Sequence, residues 1–319
     1  MDGVLQLRLI VPPDRVEAVL THLTDSPGVV HIVREVGTAI RPDGTAVSCD
    51  VAREAANEIV EWLQDLGIDR DGAIRIDPID VVISVAATAA VAAWPGEAAD
   101  ALVWEQVEAR AHDESVLSAS YRIFMSIAAM IAAVGILLDS PILVIGAMVV
   151  GPDYGPLAAI CVAIVRHRRN DGITAARTVA VGLGVAALAA LGGTLVLRLL
   201  DMAPDEYDIT ERVLTSFISR PDGMAAFVAV LAGVVGMLAL TEGRSGALIG
   251  VLVSVTTIPA VGNIGAAAAY RAWSEVGGAA LQLTINVAGL LLAGCATLWV
   301  QARQTTRRRR PTSPAIVEG

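Results

Sequence analysis

Gly151-Pro152-Asp153-Tyr154-Gly155-Pro156 is the stretch whose residue types most invite chemistry. It sits inside an apolar run, 141–165, that is otherwise long enough to cross a membrane. Each proline removes an N–H and clashes with the preceding turn, and the glycines loosen what remains, so no regular helix passes through. A carboxylate at such depth is costly unless it faces protein, water or an ion. A broken helix with a charge at its break is a frequent way to build a site in a membrane. The second such stretch is Val255-Thr256-Thr257-Ile258-Pro259-Ala260, continuing to Gly262 and Asn263. Pro259 and Gly262 break the helix there, while Thr256, Thr257 and Asn263 offer hydrogen bonds. Asn286, with Gln282 and Thr284 nearby, is a polar group deep in a later apolar segment. The candidate solute or ion site is therefore Gly151 to Pro156 with Thr256, Thr257, Pro259, Asn263 and Asn286. The bland reading stands beside it: Gly151 and Gly155 as a close-packing pair, the prolines as kinks.

Other chemistry finds little support. Cys49, Cys161 and Cys295 are too scattered for a disulfide framework or a zinc site. An intramembrane aspartyl protease needs two facing carboxylates, and only Asp153 lies well inside a segment. No Ser/His pair shares a leaflet and no Gly-rich phosphate loop occurs, so neither an enzyme nor a cofactor is expected. His22 and His31 read as ordinary surface or sheet residues.

The elements that must position the candidate site are membrane helices. The 319 residues are 55% hydrophobic, with a mean hydropathy of +0.62, which excludes a wholly soluble protein. Residues 1–120 hold 21 acidic and 8 basic residues, net −13, and the remainder 12 and 15, net +3. Six apolar segments follow the acidic part: 121–138, 141–165, 173–200, 223–241, 246–269 and 278–300. Arg166, Arg168 and Arg169, then Arg244, then Arg303 with Arg307–Arg310 flank one side, and acidic loops the other. Basic loops stay inside, so both termini are expected in the cytoplasm of a bacterial plasma membrane. The terminal Arg run reads as an anchor on anionic lipid, with no nucleic-acid partner.

A weak repeat divides the six segments. Ala133–Leu137 resembles Val234–Leu238 at an offset of 101, and Ile145–Val149 resembles Ile249–Val253 at 104. Gly172 and Gly277 open the third segment of each half, 105 apart. Three spans per repeat force the halves into opposite orientations, a 3+3 inverted repeat with helices 2 and 5 broken. At an offset of 104 the two broken stretches correspond.

Ahead of the membrane part, residues 1–84 read as a cytosolic α+β domain. Strands are expected at 4–11, 29–36, 45–51 and 73–84, with helices after Pro13-Asp14 and over 52–66. The order βαββαβ is the ferredoxin-like arrangement, read here as regulatory or oligomerising. Residues 85–120 read as a linker and juxtamembrane helix, 121–300 as the six-helix membrane domain, and 301–319 as a basic, disordered cytosolic tail.

The proline-bearing break at 151–156, Thr256-Thr257-Ile258-Pro259-Ala260 and Leu283-Thr284-Ile285-Asn286-Val287 together resemble the DUF 389 family, the uncharacterised hydrophobic domain proteins of prokaryotic membranes. The resemblance covers roughly 121–300 and implies a membrane protein with no established substrate. In the family's pattern the two prolines flank apolar or small residues, so Asp153-Tyr154 is a departure. Two functions are then open: a secondary transporter or channel for a small solute or ion, or a non-transporting membrane scaffold or ligand sensor. Small-residue helix faces and an available sheet edge make a homo-oligomer the expected state, a dimer ahead of a trimer.

Overall fold

A computed structural model describes residues 4–79, 81–93, 103–207, 214–219, 222–242 and 257–308. The chain divides into two compact units, residues 1–106 with 301–319, and residues 107–300.

In the first unit, strands β1 (Val4–Val11), β2 (Val29–Ile40), β3 (Asp43–Ala52) and β4 (Ala73–Pro78) form one sheet, in the order β2-β3-β1-β4. Every neighbouring pair is antiparallel. Helix α1 (Val16–Asp25) joins β1 to β2, and α2 (Arg53–Asp65) with the one-turn α3 (Ile68–Asp71) joins β3 to β4. Alternation decides which sheet face is buried. Leu5, Leu7, Leu9 and Val11 of β1 join Val47, Cys49 and Val51 of β3 in a core with Val19, Leu23, Ile59 and Leu63 of the helices.

Two departures from the sequence reading have local causes. β2 continues to Ile40, because its register shifts between Val30 and Val33 and between Glu35 and Ala39 absorb the turn-prone residues, with Gly37 at φ 71. β4 stops at Pro78, six residues short of the expected Ser84, since proline cannot donate to the ladder. The Ala-rich stretch read as linker contains α4 (Val85–Ala92), capped by Ser84, whose hydroxyl accepts from Ala87 N at 3.4 Å. His22 stacks on Trp62 with ring centroids 3.9 Å apart. His31 bridges Asp50 Oδ2 at 2.7 Å and Ser84 Oγ at 2.8 Å.

Helix α5 (Trp104–Ser115) follows, its residues from Val107 on belonging to the second unit. The second unit is helical: α6 (Ala119–Leu137), α7 (Pro141–Val150), α8 (Tyr154–Val165), α9 (Arg169–Leu199), α10 (Gly223–Glu242), α11 (Thr257–Ala269) and α12 (Trp273–Arg308), with a 3-10 turn at Ser216–Ser219. Four of these, α6, α9, α10 and α12 to Gln304, are long and apolar enough to cross a membrane. The α7–α8 pair makes a fifth if its halves, bent by 51°, count as one span. α11 is a shorter apolar helix of 13 residues, and the residues ahead of it, which complete the expected fifth segment, lie outside those described. This architecture fits an integral membrane protein.

The core of the second unit is built from small side chains. Ala128, Ala129, Ala132 and Ala133 of α6 and Ala186 and Ala190 of α9 are buried with Ile258, Val261 and Ala266 of α11. Among the glycines of α9, Gly182 receives the Tyr121 ring and Gly193 faces Met130, whereas Gly184 and Gly192 have open space beside them.

In the first unit, Leu63→Ala removes a fully buried side chain and is expected to cost about 2–5 kcal/mol. A denaturant titration followed through the neighbouring Trp62 measures that loss.

Candidate functional site

Pro152 sets the site. Gly151 N still donates to Ala147 O at 3.1 Å, but Pro152 has no N–H for Met148 O, the next carbonyl in the ladder. The helix resumes at Tyr154, with Pro156 in the first turn, where an absent N–H costs nothing. Asp153 stands between the halves, 9% exposed, at the N-terminal end of α8, where the helix dipole favours negative charge. It makes no side-chain cap bond to the helix, and no ion pair among the described residues engages it.

The second broken stretch meets the first here. α11 is described from Thr257, with Pro259 in its first turn; Thr256 and Ser254 lie outside the described residues. A Cβ on Gly151 would fall 2.6 Å from Ile258 Cδ1, so the glycine permits this approach. The Thr257 hydroxyl acts on the Asp153 carboxylate, yet the residue is 1% exposed and its oxygen has no partner at hydrogen-bond geometry. Tyr121 of α6 lies within electrostatic reach of the same carboxylate. A buried carboxylate and a buried hydroxyl thus meet at the junction of two half-helices.

The remaining candidates are dispersed. Asn263, 2% exposed and further along α11, accepts a short hydrogen bond at Oδ1 from the Tyr207 hydroxyl. Tyr207 lies 5.3 Å from the Tyr270 ring, which carries Arg198 Cζ 4.2 Å above its centroid. Asn286 accepts from Gln282 Nε2 at 2.9 Å within α12. Tyr154 lies against Gly236 of α10, its hydroxyl buried without a partner.

Sequence reasoning missed the residues that cover the breaks. A Cβ on Gly155 would fall 2.5 Å from Glu114 Cβ, so α5 lies directly on the start of α8. Along α5, Glu108 pairs with Arg166 at 2.6 Å and Arg168 at 2.8 Å, and Arg110 donates to Leu240 O at 3.0 Å. Ser115 O accepts from Thr178 Oγ1 at 2.9 Å. The sequence marks this stretch as a juxtamembrane helix, which by itself does not say what the helix covers. At the opposite end, Asp139 accepts from Leu214 N, Thr215 N and Thr215 Oγ1 at 2.8–3.1 Å, and Ile218 is buried with Ile136, Val144 and Met148. Nothing in the sequence marks that clasp. Among the described residues no group of three or more His, Cys, Asp or Glu could hold a metal ion.

Residues 148–292 match the family model DUF389, a domain of unknown function, the family named from the sequence. The match spans both described half-helices and Asn286. No curated protein and no solved structure matches the chain.

Burial against α8 pushes the Glu114 carboxyl above the usual carboxylate range, with Arg110 pulling it back and Asp113 adding to the rise, although more than a third of the residue stays exposed. Its proton is therefore held more tightly folded than unfolded. The resulting stabilisation of α5 is present in mild acid and lost as pH rises through the folded value. Hydrogen-exchange protection of 107–115, corrected for intrinsic rates, is expected to fall over that range, and Glu114→Gln to flatten the profile. Gly155→Ala is expected to lower the protection of 107–115 at every pH while leaving the first unit unchanged.

Proposed function

We propose that the chain, an integral membrane protein carrying a DUF389 domain, is a secondary transporter or channel for a small solute or ion, with its site between the two broken helices. The observation that carries this reading is the meeting of Asp153 with Thr257 beside the Gly151–Ile258 contact. A buried carboxylate with no cationic partner among the described residues is expensive. A cation, a proton or a solute with a positive group offsets that cost, so we read the site as complementary to positive charge. Tyr154 and Asn286 then line or support the path, and the reading requires no enzymatic step.

The 3+3 inverted repeat is supported by a contact that occurs twice. The Cys161 thiol of α8 stands beside Cys295 of α12, and Gly265 of α11 rests on Ala190 of α9, its Cβ position 2.5 Å from that alanine's Cβ. Gly265 is Cys161 plus 104 and Cys295 is Ala190 plus 105, the offsets read from the sequence. We read the N-terminal domain as ferredoxin-like, supported by the order β2-β3-β1-β4 with all pairs antiparallel. The distribution of arginine supports both termini in the cytoplasm of a bacterial plasma membrane, and a homodimer is the oligomer we favour.

The tight fit of Gly151 on Ile258 favours a second reading, a non-transporting scaffold or sensor whose centre stays dry. Accessibility separates the two. In a background with Cys49, Cys161 and Cys295 replaced, Thr257→Cys is expected to react with a water-soluble cationic thiol reagent in intact membranes, and Asp153→Asn to slow the cationic reagent relative to a neutral one. A Thr257→Cys that stays unmodified from both sides supports the scaffold. In proteoliposomes, sodium, potassium or proton flux that persists undiminished in Asp153→Asn/Thr257→Val rules out this site.

A further inference from the structure

We propose that the open face of the N-terminal sheet binds a small organic anion, held between Arg8 and Arg75. One face of the sheet packs into the core through Leu7, Leu9 and Val47; the other carries Gln6, Arg8 and Ile10 of β1 by alternation. Register places Arg8 directly opposite Arg75 on β4 and opposite Ser48 on β3. Like charges directly opposed across a ladder are destabilising, and these two have no acidic side chain to separate them. Arg8 Nε donates to Gln6 Oε1 at 2.9 Å, and among the described residues Arg75 has no hydrogen bond or ion pair.

The surroundings supply the rest of a site. A hollow of 370 Å³ lies over this part of the sheet, within the roughly 300–1,000 Å³ of small-molecule sites. Its floor is apolar, from Ile10, Ala46 and Ala73, and Gln6 and Ser48 add neutral hydrogen-bonding groups beside the two guanidinium forks. Glu35 also lines the hollow and Asp77 faces Gln6 two pairs further along β4, neither within ion-pair distance of the arginines among the described residues. Over the β2–β3 side, His31 ties Asp50 to Ser84 at the start of α4, which leaves the β1–β4 side as the open part. Two adjacent guanidinium groups present paired N–H donors matched to a carboxylate or phosphate. The apolar floor matches a flat organic body attached to it. The ligand class is thus a small carboxylate or phosphate ester, and its arrival turns an unfavourable Arg–Arg opposition into a bridged one.

The test uses the full-length chain in nanodiscs of neutral phosphatidylcholine, titrated calorimetrically with phenyl phosphate, with inorganic phosphate and phenol as controls. Phenyl phosphate is expected to bind more tightly than either control, and Arg75→Gln and Arg8→Gln each to weaken it at least tenfold. In anion-poor buffer Arg75→Gln, a change on an exposed position of the sheet's edge strand, is expected to melt no lower than the parent, since it removes a like-charge opposition. Equal binding by the parent and Arg75→Gln, equal binding of phenyl and inorganic phosphate, or no binding by the parent at millimolar concentration overturns the proposal. A lower melting point for Arg75→Gln in anion-poor buffer also overturns it, by assigning Arg75 a structural role. The outcome is independent of flux through the membrane unit, so failure here leaves the transport reading untouched.

Discussion

A backbone carbonyl or amide left unpaired in an apolar interior costs several kcal/mol, and Pro152 creates that situation in the middle of a helical unit. Much of the second unit can be understood as accommodation of this break. α8 buries Tyr154 through Ala159 and Cys161 through Ala163, so the restarted helix is enclosed by protein. α11 comes in close because its partners are small: a Cβ on Gly262 would lie 2.8 Å from Ala132 Cβ and 3.0 Å from Ala129 O. The alanine content is thus a packing requirement at these positions, where backbones approach too closely for larger side chains. Within that enclosure Asp153 and Thr257 are polar groups set against each other in an otherwise apolar core.

The strands and helices of the N-terminal unit were legible because period two and period 3.6 differ, and because Pro, Gly and Asp-Gly mark its turns. Its errors were at boundaries, at Pro78 and around Gly37, where one residue's backbone preference overrides or extends a pattern. In the membrane unit the breaks were legible from proline alone, and Asp153 and Thr257 from being polar in apolar runs. Asn263 and Asn286 carried the same signal and are engaged elsewhere, one by Tyr207 and one by Gln282. Polarity in an apolar segment identifies a group that needs a partner, without saying whether that partner is a ligand or a neighbour. Tyr207 and Glu114 come from segments far from the breaks in sequence, and only packing brings them near.

The proposed repeat draws on both the sequence offsets and the packing. Offsets of 104 and 105, read from short, low-complexity matches, pair Cys161 with Gly265 and Ala190 with Cys295. The two contacts so related occur between different helices, α8 with α12 and α11 with α9. Chance similarity among Gly- and Ala-rich helices has no reason to reproduce a contact at the same offsets.

The two coverings of the central junction are built from different physics. At the Arg166 end, α5 is held by Glu108 between two arginines, side chains that remain partly exposed, and such pairs weaken as the Debye length shrinks with added salt. At the Asp139 end the attachments are a carboxylate clasping backbone N–H groups, a buried isoleucine and a tyrosine hydroxyl on Asn263, which depend far less on ionic strength. Added salt therefore loosens the Arg166 end more than the Asp139 end.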